Sequence, residues 1–337
     1  MPLLRMFLAP LLIFLCTSRC DQALLAKEIE FRAVQLSPAS RIDALAFFGK
    51  GVVLAGTRDP QPGYIHMSND YGLTWKKVGN VTGSDIITCL SSGTNGVGYL
   101  LTGEDVHVWK TADYGESWKD LGQVSKASNP IYANAYGMLV TSKGTLLVAD
   151  ADSDGGRIHR SLDAGGTWQN SEPVSNRPLY RLLEVGDGVI ANGWAGHVYK
   201  TTDEGATWND IGKLIDSELY AIEYLGGGKV LIASESGNVF TSDDNGSTWR
   251  DQGFVAASGD DFAWLGGNRA LYSTYAGHRH VYLSDDYGKT WVSIGHAIAQ
   301  QPDDWLDHII YISENDVRCI VAGTGKGYIL SFDLSDD

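Results

Sequence analysis

Ser68-Asn-Asp70-Tyr-Gly72-Leu-Thr74-Trp75 is the first of six octapeptides that fit the pattern S/T-x-D-x-G-x-S/T-W. The others end at Trp118, Trp168, Trp208, Trp249 and Trp291, so the tryptophans are 43, 50, 40, 41 and 42 residues apart. Six of the ten tryptophans serve this one repeat, a regularity that only a repeating architecture explains. Short alternating strands flank each octapeptide, which makes it a hairpin turn. The aspartate accepts turn N–H groups, the glycine supplies a positive φ, and the hydroxyls tie down the ends. Asp70, Asp113, Asp163, Asp203, Asp244 and Asp286 are therefore structural, and the tryptophans are expected to lie between neighbouring repeats.

Two further apolar strands precede each hairpin, for example those starting at Ile42 and Gly51, Ile131 and Thr145, or Leu219 and Lys229. Four strands per unit of about 42 residues describe a propeller blade, and a blade cannot cover both its faces alone. Beyond Trp291 come three strands, near 307–313, 317–323 and 327–335, without a fourth. Residues 28–36 offer the missing outer strand. The chain is thus predicted to be all-β, a seven-bladed propeller whose last blade is closed by the N-terminal strand, which also removes exposed sheet edges.

Residues 1–20 place one arginine before an apolar run at 6–16 and then small and polar residues, the layout of a secretory signal peptide. Residues 21–337 are then the propeller. The product is expected to be exported (periplasm, lumen or outside the cell), monomeric and without a membrane span. Cys89 and Cys319, the cysteines of the propeller body, lie in strand-like runs and read as buried free thiols. A formal charge of −15 with no basic stripe excludes a nucleic-acid partner. No metal-ligand set, nucleotide loop or redox pair is present, so no cofactor is expected.

The octapeptides and their spacing resemble the Asp-box, or BNR, repeats of sialidase-like propellers over roughly residues 28–335. That superfamily includes sialidases, xyloglucan-active hydrolases, polysaccharide lyases, sortilin-type receptors and the photosystem II stability factor. The resemblance implies a functional mouth on the face opposite the boxes. It leaves open two kinds of activity. One is action on, or binding of, a polysaccharide or glycan, as a glycoside hydrolase or polysaccharide lyase. The other is a non-catalytic propeller with a protein partner, like the stability factor.

Candidate residues follow from the mouth loops. Asp152, in the acidic stretch 150–154, joins Glu235 and Asp307 as a possible acid and base for hydrolysis. Tyr275 and His278 are candidates for proton transfer in β-elimination, with Arg279 neutralising a uronate. Arg41 and Arg177 would hold a carboxylate, as the arginines of a sialidase do, although the FRIP segment of that family is absent. Trp194, His197, Tyr220 and Trp305 are candidate sugar-stacking or binding side chains. Tyr132, Tyr180 and Tyr220 recur at one blade position, where packing around the channel also accounts for them.

Overall fold

The computed structural model describes residues 31–36, 41–58, 63–80, 86–103, 106–124, 135–152, 155–171, 173–274, 280–296 and 304–334. They form seven four-stranded antiparallel sheets arranged as a propeller. Blades 1 to 6 span residues 42–80, 87–123, 137–170, 179–213, 219–254 and 259–296. Blade 7 combines Leu306–Glu314, Val317–Thr324 and Tyr328–Asp333 with Arg32–Gln35, which pairs antiparallel to Tyr328–Asp333. Residues 1–20, read above as a signal peptide, lie outside the described residues. Among the described residues no helix is long and apolar enough to cross a membrane.

The six octapeptides repeat one hydrogen-bond network. In the first, Ser68 Oγ donates to Asp70 Oδ1 (2.7 Å) and accepts Gly72 N–H (2.8 Å), while Asp70 Oδ1 accepts Thr74 N–H (2.8 Å). Asp203 meets Thr201 and Thr207 in the same way, and these bonds pull its carboxyl down to about 2 against burial. The glycine has two reasons to be there. It sits at positive φ, +92° at Gly72 and +76° at Gly246, and it lies directly against the blade before, on Val321 and Ile190 respectively.

Seven apolar clusters hold the ring, one between each pair of neighbouring blades. Between blades 4 and 5, for instance, Val185, Ile190 and Val198 meet Leu219, Ile232 and Phe240, with Trp249 against them. Each box tryptophan packs into the cluster shared with the preceding blade. Blade 7 has no complete box, and Phe332 with Phe31 packs against the cluster it shares with blade 6. Cys89 is half-buried, Cys319 is buried, and both are free.

The third blade departs from the sequence reading. Its inner strand is Gly137–Val140 rather than one beginning at Ile131, and Tyr132 lies outside the described residues. Gly137 fixes this register, because a Cβ there would come within 2.9 Å of the Tyr180 carbonyl oxygen of blade 4.

Two buried histidines give stability opposite pH dependences. Burial, aided by the charge of Lys77, pushes His66 down to about 4. His159 is raised despite its burial, because Nε2 meets Asp150 Oδ2 and Nδ1 meets Asn170 Oδ1, each at 2.8 Å. Lowering the pH from about 6.5 toward 4 protonates His66 in the unfolded chain first, which costs stability. His159 contributes most below about 6.5 and loses its contribution as the pH rises through its raised folded value. His66→Gln is therefore expected to lose about 2–3 kcal/mol less than the parent between pH 7 and 4.5, as read by urea unfolding at both.

Candidate functional site

One side chain per blade converges on the channel mouth, and the device that aims it is a β-bulge. The pairing of inner and second strands skips a residue between Ile42 and Ala44, Ile87 and Cys89, Leu179 and Arg181, Leu219 and Ala221, Gly259 and Asp261, and Leu306 and His308. The skipped residues are Asp43, Thr88, Tyr180, Tyr220, Asp260 and Asp307. In blade 3, Tyr136 stands just before its inner strand in the matching place. All seven line a cavity of about 500 Å³. An extra residue in one strand redirects its side chain out of the sheet, and here that happens around the ring.

A second set of positions is fixed by backbone. The residue after the second strand donates its N–H to the carbonyl of the residue before the inner strand. The pairs are Arg58 to Arg41 (3.0 Å), Gly103 to Ile86 (3.2 Å), Trp194 to Pro178 (3.0 Å), Glu235 to Glu218 (2.8 Å) and Gly325 to Trp305 (3.0 Å). Arg41, Arg58 and Glu235 reach the cavity from this rim.

The ring is divided chemically. Blades 6, 7 and 1 supply Asp260, Asp307 and Asp43, whereas blades 3, 4 and 5 supply three tyrosines. Arg41 grips Asp307 with two bonds (3.2 and 3.1 Å) and pairs with Asp43 (2.7 Å), which also meets Arg58 Nε. Trp305 Nε1–H donates to Asp307 Oδ1 (2.9 Å). Even so, burial raises Asp307 to about 6 against the opposing charge of Arg41. Asp260 stands well above the ordinary carboxyl range through burial and the nearby Asp307 and Asp261.

On the other side the rings of Tyr136 and Tyr180 meet edge to face at 5.5 Å, and those of Tyr180 and Tyr220 are tilted at 5.4 Å. Tyr180 and Tyr220 both donate their hydroxyls to Glu218 Oε2, at 3.0 and 2.6 Å. Burial and that carboxylate raise both phenols, which keeps them neutral and unsuited to act as bases. Arg181 donates Nε–H to the Tyr220 carbonyl (3.3 Å), and no carboxylate takes its guanidinium among the described residues.

Thus the structure brings together Arg41, Tyr220, Glu235 and Asp307 of the sequence candidates. Trp305 positions Asp307 from behind. Arg177 and Trp194 do not line the cavity: they pair with each other on the rim, guanidinium carbon 5.4 Å from the ring centroid. Trp194 is raised there by a tight turn in which Ala195 takes φ +70°. His197 likewise stands apart, its Nδ1 3.0 Å from Asp210 Oδ2 at the edge of blade 4. Asp152 closes a strand, Leu146–Asp152, rather than sitting in an open loop. Tyr275, His278 and Arg279 lie outside the described residues. Sequence reasoning passed over Asp43, Thr88, Tyr136, Arg181, Asp260 and His308. Counting back from each box tryptophan finds the ring residues 28–32 positions earlier, the one trace they leave.

The BNR-Asp box repeat family matches residues 281–294, which contain the sixth box. This is a seven-bladed Asp-box propeller. No curated protein matches its sequence. Among solved structures, YCF48 bound to D1 peptide superposes with a TM-score of 0.68 at 18% identity, covering 90% of this chain and 96% of that one. YCF48 from Cyanidioschyzon merolae gives 0.66 at 13%, covering 90% and 98%. A catalytically inactive virginiamycin B lyase from Staphylococcus aureus with quinupristin gives 0.73 at 13%, covering 91% and 99%. At these identities the likeness concerns the fold.

Proposed function

We propose that this propeller is an exported binding protein that takes an extended segment of a partner protein into its channel mouth, without catalysis. The observation that carries this reading is how the ring's groups are engaged. Asp43 and Asp307 are held by arginines and an indole, and the phenols of Tyr180 and Tyr220 are held by Glu218. What remains for a ligand is the Arg181 guanidinium, the exposed Glu235 carboxylate and Asp260, beside an arc of tyrosines. Donors and acceptors side by side, next to aromatic surface, suit the alternating C=O and N–H groups of a peptide. That a propeller of this fold is known with a bound peptide is in keeping with the reading.

Selection of random displayed peptides on the whole chain tests it. Enriched peptides are expected to bind the parent and to lose tenfold or more in affinity to Arg181→Ala and Tyr180→Leu. Binding unchanged by both variants, or no enrichment, overturns the reading.

A second reading, glycoside hydrolysis, is favoured by one observation: Glu235 and Asp307 line the same cavity. A panel of neutral, sialylated and uronate-containing polysaccharides decides between them. New reducing ends that vanish with Glu235→Gln would replace the binding reading by the hydrolytic one. No turnover across the panel is the result expected.

A further inference from the structure

The cavity's charge is unevenly placed. Blades 5 and 6 line it with Tyr220, Glu235, Ser258 and Asp260, and with no basic side chain among the described residues. Glu218 stands behind the tyrosines. The inner strands of the same two blades also carry Asp261, whose Oδ2 is 3.3 Å from His308 Nδ1, and Glu223 near it. The cations of the mouth come from elsewhere: Arg41 and Arg58 of blade 1 are engaged by Asp43 and Asp307, and Arg181 of blade 4 is turned by its bond to Tyr220. Asp260 Oδ2 is shielded from solvent and has no hydrogen-bond partner among the described residues.

From this arrangement, and resting on the binding reading above, we propose that the wall built by blades 5 and 6 seats a primary ammonium group, the lysine side chain of the bound segment. An ammonium supplies three donors, and the wall is short of donors at Asp260 Oδ2 and Glu235. The tyrosines of blades 3, 4 and 5 complete the seat, since aromatic rings attract cations electrostatically. Protonation behaviour agrees. Asp260 remains well above its ordinary range although Arg181 and Arg41 both act to lower it, and burial with Asp261 holds Glu223 at about 8. A carboxyl pushed upward even in reach of two arginines, as Asp260 is, is short of positive charge. A bound ammonium corrects that, and Asp260 releases a proton as it arrives.

The test is calorimetric titration of the whole chain at pH 7 with n-butylammonium chloride, with n-butanol as the uncharged control and potassium chloride matching ionic strength. The ammonium is expected to bind at least tenfold more tightly than the alcohol. Its heat should vary with the ionisation enthalpy of the buffer, as proton release requires. Asp260→Asn should weaken it tenfold or more and abolish the buffer dependence. If that variant does not fold, Glu235→Gln should weaken it about fivefold. Equal binding of amine and alcohol, or affinity unchanged in the variants, overturns the proposal. Selected peptides that lack lysine yet depend on Arg181 and Tyr180 would overturn it while leaving the peptide-binding reading intact.

Discussion

A chain that starts at Arg41 is expected to melt about 10 °C below one that starts at Phe31, and to associate in solution. The ten residues removed include Arg32–Gln35, whose four residues pair in register with Tyr328–Ser331. They also include Leu36, 2% exposed, whose N–H is bonded to the Gly327 carbonyl (2.9 Å). Phe31 goes too, with its ring 6.0 Å from that of Phe332. Burying one leucine is worth about 2 kcal/mol and each cross-strand pair roughly 0.2–1 kcal/mol, so closure contributes about 3–6 kcal/mol. For a chain of this size that corresponds to the shift stated. Association follows because Tyr328–Asp333 would become an unpaired edge able to accept a strand from another copy. Thermal melting and size-exclusion chromatography of the two chains check this. Equal melting temperatures with both chains monomeric would show that the ring does not depend on its clasp.

Gly246→Ala is expected to cost about 2–5 kcal/mol, whereas Gly253→Ala should cost only about 1–2. Both glycines have positive φ, +76° and +89°. A left-handed backbone costs an alanine roughly 1–2 kcal/mol at either site. At Gly253 nothing stands within 4 Å of the added Cβ, so the conformational cost is the whole effect. At Gly246 the Cβ would overlap Ile190 Cδ1, and Ile190 is fully buried in the cluster between blades 4 and 5. Forcing a methyl into a packed core adds about 1–3 kcal/mol. Urea unfolding of the two variants separates the terms: equal losses would mean that the box glycine is required by its dihedral angle alone.

The same contrast explains how far the sequence could be read. Every box is a local device. Ser68, Asp70, Gly72 and Thr74 bond to one another within seven residues, so their identities and spacing carry the whole argument for the turn. Repeating it six times leaves a ring as the only way to cover the blades, and the strand at 32–35 has a single vacancy to fill. The candidate site is a different matter. Glu235 and Asp307 were legible as mouth residues because each adjoins a strand end. Arg177, Trp194 and His197 adjoin strand ends as well, yet they stand on the rim or the blade edge, which position in sequence does not distinguish.

Fold, blade number, closure by the N-terminal strand and the structural role of the box aspartates were thus determined by the sequence alone, since each rests on contacts that are local or repeated. Only the tertiary structure decided that Asp43, Thr88, Tyr136, Tyr180, Tyr220, Asp260 and Asp307 share one cavity. Each owes its direction to its place at the head of an inner strand, in six blades through a bulge in the pairing of two strands. The division into an acidic and an aromatic arc has its origin in which blade stands beside which. Arg41 meets Asp307 across 266 positions of sequence because blade 7 closes against blade 1. No local pattern encodes that meeting, for it exists only once the ring has closed.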